Sequence, residues 1–434
     1  MATIEDMPAA HRSTPSEIAE RAVMAQMQDD VEGTAQPHRE PSEATTVPPA
    51  RLPGVLSFVI AAVVAAVAAG LELGWGVAAG VAAVSAGAVV AGLRSRIQPS
   101  AALLGPYVLV IVAKLAVDSA RFGFTLTGDS WSDTVGSTDR TWFLGLVVAP
   151  VCLMLLGGYL IGRRYPVGSI LAWWTPLLAG VDGLWTLALS ARLDWDRPGP
   201  SVALATAALV ETLVATWAVQ RLLRPGVGTQ SPAQAGLTAR QRDLWTVLFV
   251  AGAIAYGVVA WRQAGLILVG VIVGSMMGGL IAWRKTTSRN PADPAFHVPL
   301  FLLLFALFYL HVGEEALTGF NQAIAALTGH PWSEDAFTLF IGLAGPAVWV
   351  FGGWSLWKRQ PFGNFILWFE IVGMILGEPL HLLVFPVVRM AQTGGDYGYF
   401  SGMYTALFPM IPAIIMLATI IRAHRSRNRS QDQA

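Results

Sequence analysis

From Pro53 onward, apolar residues come in long runs separated by short polar segments. Twelve runs are legible, at about 54–70, 73–93, 102–120, 142–162, 168–190, 201–223, 243–261, 264–284, 298–320, 337–357, 364–386 and 400–421. Most are about 17–24 residues long, enough for a helix to cross a ~30 Å hydrocarbon core. The pattern predicts an all-α polytopic membrane protein with about twelve transmembrane helices.

The charges between the runs alternate. Arg94 and Arg96; Arg163 and Arg164; Arg221, Arg224, Arg240 and Arg242; Arg284, Lys285 and Arg289; Lys358 and Arg359; and Arg422, Arg425, Arg427 and Arg429 fall in every second connection. The connections between them carry Asp129, Asp133, Asp139, Asp194, Asp196, Glu334, Asp335 and Asp396. Basic residues favour the cytoplasmic side, so both termini are expected there. The alternation never loses register, which implies an even number of spans.

The runs also repeat. Trp131-Ser-Asp precedes a run with Pro150, Gly157, Gly158 and Tyr159, then Arg163-Arg164, Pro166 and Gly168. Some 195–200 residues later come Trp332-Ser-Glu, then Pro346, Gly352, Gly353 and Trp354, then Lys358-Arg359, Pro361 and Gly363. This reads as a duplicated six-helix unit whose copies run parallel through the bilayer. The expected organisation is a disordered cytoplasmic tail (1–50), a first repeat (51–224), a polar linker (225–241), a second repeat (242–422) and a basic tail (423–434). The first 50 residues hold nine acidic residues against three arginines and no long apolar run. That composition is one of disorder and lacks the architecture of a signal peptide; a short helix is expected around 16–28.

Composition narrows the class. Only 13% of the 434 residues are charged, against about 25% in soluble domains, and 54% are hydrophobic. A soluble enzyme is therefore excluded. The net charge is zero, so there is no basic footprint for nucleic acid. One cysteine, Cys152, excludes a disulfide framework and a cysteine-based zinc site. Alanine is abundant and arginine dominates the basic residues, Lys114, Lys285 and Lys358 being the only lysines. That bias suggests a GC-rich bacterial genome and hence a plasma-membrane location.

Against this apolar background the ionisable residues inside the runs stand out, because each costs about 2.5–3.5 kcal/mol near a helix centre. The ninth run contains His311-Val-Gly-Glu314-Glu315, and spacings of three and four put these side chains along one face. The eleventh contains Glu378-Pro379-Leu380-His381, again with i, i+3 spacing, and Pro379 predicts a kink. The twelfth opens with Tyr399-Phe-Ser401-Gly402-Met-Tyr404-Thr405. At ~1.5 Å per residue, His311 lies ~20 Å into its helix, with Glu314 and Glu315 ~5 Å beyond; Glu378 and His381 lie ~21 and ~26 Å in. Three polar motifs thus share one depth, in the outer half of the bilayer.

His311-Val-Gly-Glu314-Glu315 resembles the motif that names the HXXEE family of bacterial integral membrane proteins. Further resemblance comes from the later His381 and from Tyr399-Phe-Ser-Gly402-Met-Tyr-Thr405-Ala406, over about residues 297–422. Ser401 stands where that family has a proline. The resemblance implies that these residues form a site, without implying a reaction.

The first half keeps the scaffold with other chemistry. Lys114-Leu-Ala-Val-Asp118 aligns with the His311 motif, Asp182-Gly-Leu-Trp185 with Glu378-Pro-Leu-His381, and Pro198-Gly199 lies near Ser401-Gly402. Both histidines are absent, so this half reads as a degenerate copy. Asp118, Arg121, Asp182 and Glu211 form a possible second polar site.

Two histidines and up to three carboxylates (His311, Glu314, Glu315, Glu378, His381) suit zinc, iron or manganese. A metal-free acid/base pair and a structural hydrogen-bond network are the alternatives. Tyr399 and Tyr404 are candidate donors to the site or interfacial aromatics. Trp173, Trp174, Trp185, Trp357 and Trp368 read as belt or packing residues, and Glu370 as an interhelical hydrogen-bonding group. The reading favoured is an intramembrane enzyme acting on a lipid or isoprenoid-like substrate by hydrolysis, oxidation, isomerisation or terpene cyclisation. The alternatives are a secondary transporter of six-plus-six architecture and a non-catalytic membrane subunit. Expected partners are membrane lipids and a hydrophobic small molecule.

Overall fold

The computed structural model describes residues 75–94, 101–126, 140–190, 198–223 and 236–432. Every regular element among the described residues is helical. The acidic tail and its short helix, the run at 54–70, Trp131, the loop acids from Asp129 to Asp139, Asp194, Asp196 and residues 225–235 of the linker lie outside the described residues.

The helices are α1 (Trp75–Arg94), α2 (Leu104–Leu126), α3 (Ala149–Gly162), α4 (Gly168–Ser190) and α5 (Pro198–Leu223). They continue as α6 (Ala239–Gln263), α7 (Gly265–Lys285), α8 (Pro294–Thr318), α9 (Phe320–Thr328) and α10 (Gly345–Trp357). The last three are α11 (Pro361–Leu376), α12 (Phe385–Thr393) and α13 (Met410–Asp432). Seven helices among the described residues are long and apolar enough to cross a membrane.

Twelve expected runs and seven such helices differ for definable reasons. One run lies outside the described residues, and the apolar part of α1 is short, Ala79–Arg94. Helix α2 carries Lys114, Asp118 and Arg121 in its body, and α4 interrupts its apolar pattern with Trp173 to Pro176 and Asp182. The twelfth run was expected to be helical from residue 400. Instead residues 401–409 form successive turns and α13 begins at Met410, because Gly402 takes φ 82° and Pro409 removes an amide.

Local chemistry sets several boundaries. Thr238 caps α6 in a reciprocal box with Gln241. A non-helical Gly265 (φ 75°, ψ −167°) folds α6 back on α7, so that Arg284 Nη1 donates to Thr246 at 2.7 Å. Asp293 caps α8, Pro294 fills its first position, and left-handed Gly319 ends it.

Helix α8 is the central element. Seventy-two per cent of its apolar window is buried, against 22% for α6. Helices α5, α6 and α7 turn Leu213, Val247, Ile254, Trp261 and Leu266 outward, as helices facing lipid do. Helices α8 and α11 run in the same direction, each packed against α10. Ala292 N donates to Asn364 Oδ1 at 2.9 Å near their starts, and His311 meets Glu378 near their ends. The chain from Thr405 to Thr419 descends antiparallel to α8, with Thr405 beside His311 and Thr419 beside His297.

Two stretches share an unusual backbone. A π-helical segment, Phe143–Val148, leads into α3, and another, Thr338–Ala344, leads into α10. Both helices end on an arginine in the left-handed region, Arg164 (φ 60°) and Arg359 (φ 59°). Tyr165 N donates to Leu160 O, and Gln360 N to Ser355 O, each at 2.9 Å.

Candidate functional site

His311 and Glu315 sit one turn apart near the end of α8, both buried. Glu378 lies just past the end of α11. There Pro379 cannot donate to the backbone, and the helix stops at Leu376. The expected kink takes the form of a run of tight turns, through which Gly377, Pro379 and Val384 keep right-handed helical angles. His381 sits in the isolated turn Leu380–Leu383, beyond which α12 begins.

The side chains converge. His311 Nε2 lies 3.0 Å from Glu378 Oε2 and 3.6 Å from Glu315 Oε1. His381 Nε2 lies 3.5 Å from the same Glu315 oxygen. The two imidazoles meet edge to face at 4.7 Å, and Phe320 stacks on His381 at 4.9 Å. His311, Glu315 and His381 each offer a ligand atom within 4.8 Å of the others.

The outer ring nitrogens fix the tautomers. His381 Nδ1 faces Ser401 O at 2.8 Å, a partner that can only accept. His311 Nδ1 faces Thr405 Oγ1 at 3.1 Å. The single Thr405 hydroxyl proton is committed to Glu314 Oε2 at 2.5 Å, so Thr405 Oγ1 accepts from His311. Both imidazoles thus carry N–H on the outer Nδ1 and, when neutral, turn an Nε2 lone pair inward. Two Nε2 atoms and two carboxyl groups face one another, a set that a cation or shared protons would hold together.

Gly402 makes this packing possible. A Cβ there would come within 2.7 Å of both His311 Cε1 and His381 Nδ1. Its positive φ also suits glycine alone.

Glu314 occupies a different place. Its carboxylate turns away from the convergence point and accepts from Tyr399 Oη (2.7 Å), Tyr404 N (3.1 Å), Thr405 N (2.8 Å) and the Thr405 hydroxyl. It clasps the 399–405 loop onto α8. Burial, and then the neighbouring Glu314, hold the Tyr399 phenol above its ordinary value. The Tyr404 ring is 74% exposed and stacks on Tyr399 at 4.6 Å. Of the seven expected site residues, His311, Glu315, Glu378 and His381 come together. Glu314, Tyr399 and Tyr404 form the clasp beside them.

The four convergent residues form one polar end of a cavity of about 120 Å³. Its walls are apolar and aromatic, including Ile272, Phe308, Phe320, Trp332, Trp349, Phe369 and Met374. Glu370 also lines it, with Oε1 buried and without a hydrogen-bond partner. The interhelical bond expected for Glu370 is thus absent for that oxygen. None of the five tryptophans singled out in the sequence lines the cavity; Trp332 and Trp349 do. Trp332 was visible only as a repeat landmark. Trp349 gave no signal beyond its place in the tenth run.

In the first half, Lys114 Nζ donates to both oxygens of Asp118 at 2.6 Å and approaches Asp182 at 3.1 Å. Arg121 reaches Asp118 at 3.2 Å and Asp182 at 2.6 Å, and also bonds Thr186. Glu211 is fully buried, and neither of its oxygens has a hydrogen-bond partner. Comparison with protein-family models, curated proteins and solved structures finds no match for this chain.

Proposed function

We propose that the His/Glu group is a metal centre of an intramembrane enzyme acting on a lipid or isoprenoid-like substrate. The observation that carries this is the buried convergence of two Nε2 atoms and two carboxyl groups. Such a set repels itself unless a metal ion or shared protons sit among it, and three ligand atoms within 4.8 Å of one another suit the ion. Each Nδ1–H is tied to an oxygen, which is how proteins orient histidine ligands. His311, Glu315 and His381 would hold a divalent zinc, iron or manganese ion, with Glu378 as fourth ligand or as acid/base. Such an ion supplies Lewis acidity to a substrate oxygen. The aromatic and aliphatic walls hold a hydrocarbon chain and exclude water. Glu378, next to His311, is placed to move a proton at the reacting end. Of the reactions considered, hydrolysis and oxidation make most use of a metal.

The surrounding fold is proposed to be twelve spans in two parallel six-helix repeats, in a bacterial plasma membrane with both termini cytoplasmic. The paired π-helical segments and the paired left-handed arginines support the duplication. Gly168 and Gly363 support it too. Each lies against backbone of the preceding helix, at Ile161 and Leu356, where a Cβ would collide.

The test is elemental analysis of the purified full-length protein, with mass spectrometry of co-purifying and host lipids. A stoichiometric divalent metal is expected, lost in Glu315→Gln and in His381→Ala, with an altered lipid or isoprenoid profile. A folded parent protein without metal, and variants that leave the lipid profile unchanged, would overturn the reading.

A further inference from the structure

The first-half cluster has a charge imbalance that is independent of the metal reading. Helix α5 packs against α2 and α4. Its buried face carries Leu204, Ala208, Glu211, Ala215 and Ala218. At this level Gly183 of α4 touches Thr212 and Ala208 of α5, which sets Glu211 beside Asp182. The charged groups facing Glu211 are Lys114, Asp118 and Arg121 on α2 and Asp182 on α4, all near enough to interact with it electrostatically.

Asp118 and Asp182 take direct contacts from Lys114 and Arg121 at 2.6–3.2 Å. These two cations balance two carboxylates. Glu211 is the third, fully buried, with no donor on either oxygen. An ionised carboxylate left bare in an apolar helix interface is among the most costly groups a protein can bury. The Lys114 ammonium and the Arg121 guanidinium are already held by the two aspartates. The cluster is short of one positive charge at Glu211.

We propose that Glu211 is the ligand of a monovalent-cation site in the first half of the molecule, filled by a proton or by a sodium ion. The Lys114–Asp118–Arg121–Asp182 network is its rigid, internally neutral wall. It sets the field at Glu211 without competing for the cation.

The experiment uses the full-length protein in lipid vesicles, treated with dicyclohexylcarbodiimide, an apolar reagent that attacks the uncharged carboxyl. Adducts are mapped to Glu211 by peptide mass spectrometry. A proton site shows as labelling that falls as pH rises and ignores sodium. A sodium site shows as labelling that added sodium suppresses. Melting temperatures of the parent and of Glu211→Gln are then compared across pH and sodium. The parent should gain stability with the bound cation, because a ligand of the folded state stabilises it, and Glu211→Gln should lose that gain. Parallel melting curves for the two proteins overturn the proposal. So does an absence of labelling at Glu211 when the cavity carboxylate Glu370 is labelled in the same sample. Should Glu211→Gln not fold, the parent's labelling decides: suppression by pH or sodium supports the site, and indifference to both overturns it.

Discussion

The two halves of this molecule each bury a knot of ionisable side chains, and the two knots are built on opposite principles. On α2 and α4, Lys114 and Arg121 meet Asp118 and Asp182, so every contact pairs a donor with an acceptor. On α8 and the turns after α11, His311, Glu315, Glu378 and His381 bring two imidazoles against two carboxyls with no lysine or arginine among them. The positions correspond: His311 follows Lys114, and Glu315 follows Asp118, by the same 197 residues (311 − 114 and 315 − 118). Burial of charge is common to both, so burial does not distinguish a binding centre from a structural brace. What distinguishes them is whether the group is complete without a ligand. The brace is complete apart from Glu211, whereas the His/Glu group is, on the reading proposed above, completed by a metal ion.

The largest expected effect attacks the brace. Lys114→Met leaves Asp118 buried with only the 3.2 Å Arg121 contact. The loss should be about 3 kcal/mol, the low end for breaking a buried pair, read as a lower melting temperature in detergent. Lys114→Met combined with Asp118→Leu should recover most of it, since apolar replacement of a whole pair is often neutral. The His/Glu group should behave in the opposite way. With metal removed by a chelator, Glu315→Gln should melt no earlier than the parent, because the substitution relieves repulsion. A destabilised Glu315→Gln apo-protein would show that the convergent atoms already share protons, and the contrast between the knots would fail.

The next contrast is between two glycines at neighbouring positions of the proposed repeat, Gly402 and Gly199. Gly402→Ala places a methyl 2.7 Å from both imidazoles at a left-handed position. It should cost about 2–3 kcal/mol and most of the bound metal. Gly199→Ala, with nothing within 4 Å of the added carbon, should leave stability and metal content unchanged.

The helical periodicity carried much of this in advance. Spacings of three and four put His311 and Glu315 on one face, and depth arithmetic placed Glu378 and His381 beside them. The division of labour between Glu314 and Glu315 was hidden, because neighbouring residues on a helix point about 100° apart. Which of the two meets the imidazoles depends on the 399–405 loop. That loop was itself misread as helix, since Tyr399 to Phe408 is apolar enough to resemble the start of a span. Gly402 and Pro409 were the visible signs that it is not. The cavity was out of reach for a different reason. Glu370, Trp349 and Ile272 lie on three different helices, and only packing decides that they share a wall.

Smaller changes separate the clasp from the centre. Thr405→Val removes the acceptor of the His311 Nδ1 proton and frees that ring to adopt the other tautomer. Partners of this kind are worth about 10–100-fold in metal affinity, so chelator titration should show weaker binding by that factor. Tyr399→Phe removes one donor to Glu314 but leaves Thr405 N, Tyr404 N and the Thr405 hydroxyl in place. It should cost about 1 kcal/mol of stability and leave metal affinity unchanged, because no bond to either imidazole is touched. Equal losses of affinity in the two variants would make the clasp and the centre one cooperative unit, with Glu314 governing the imidazoles through the whole loop. Unequal losses in the expected order would make Thr405 the side chain through which the clasp governs His311.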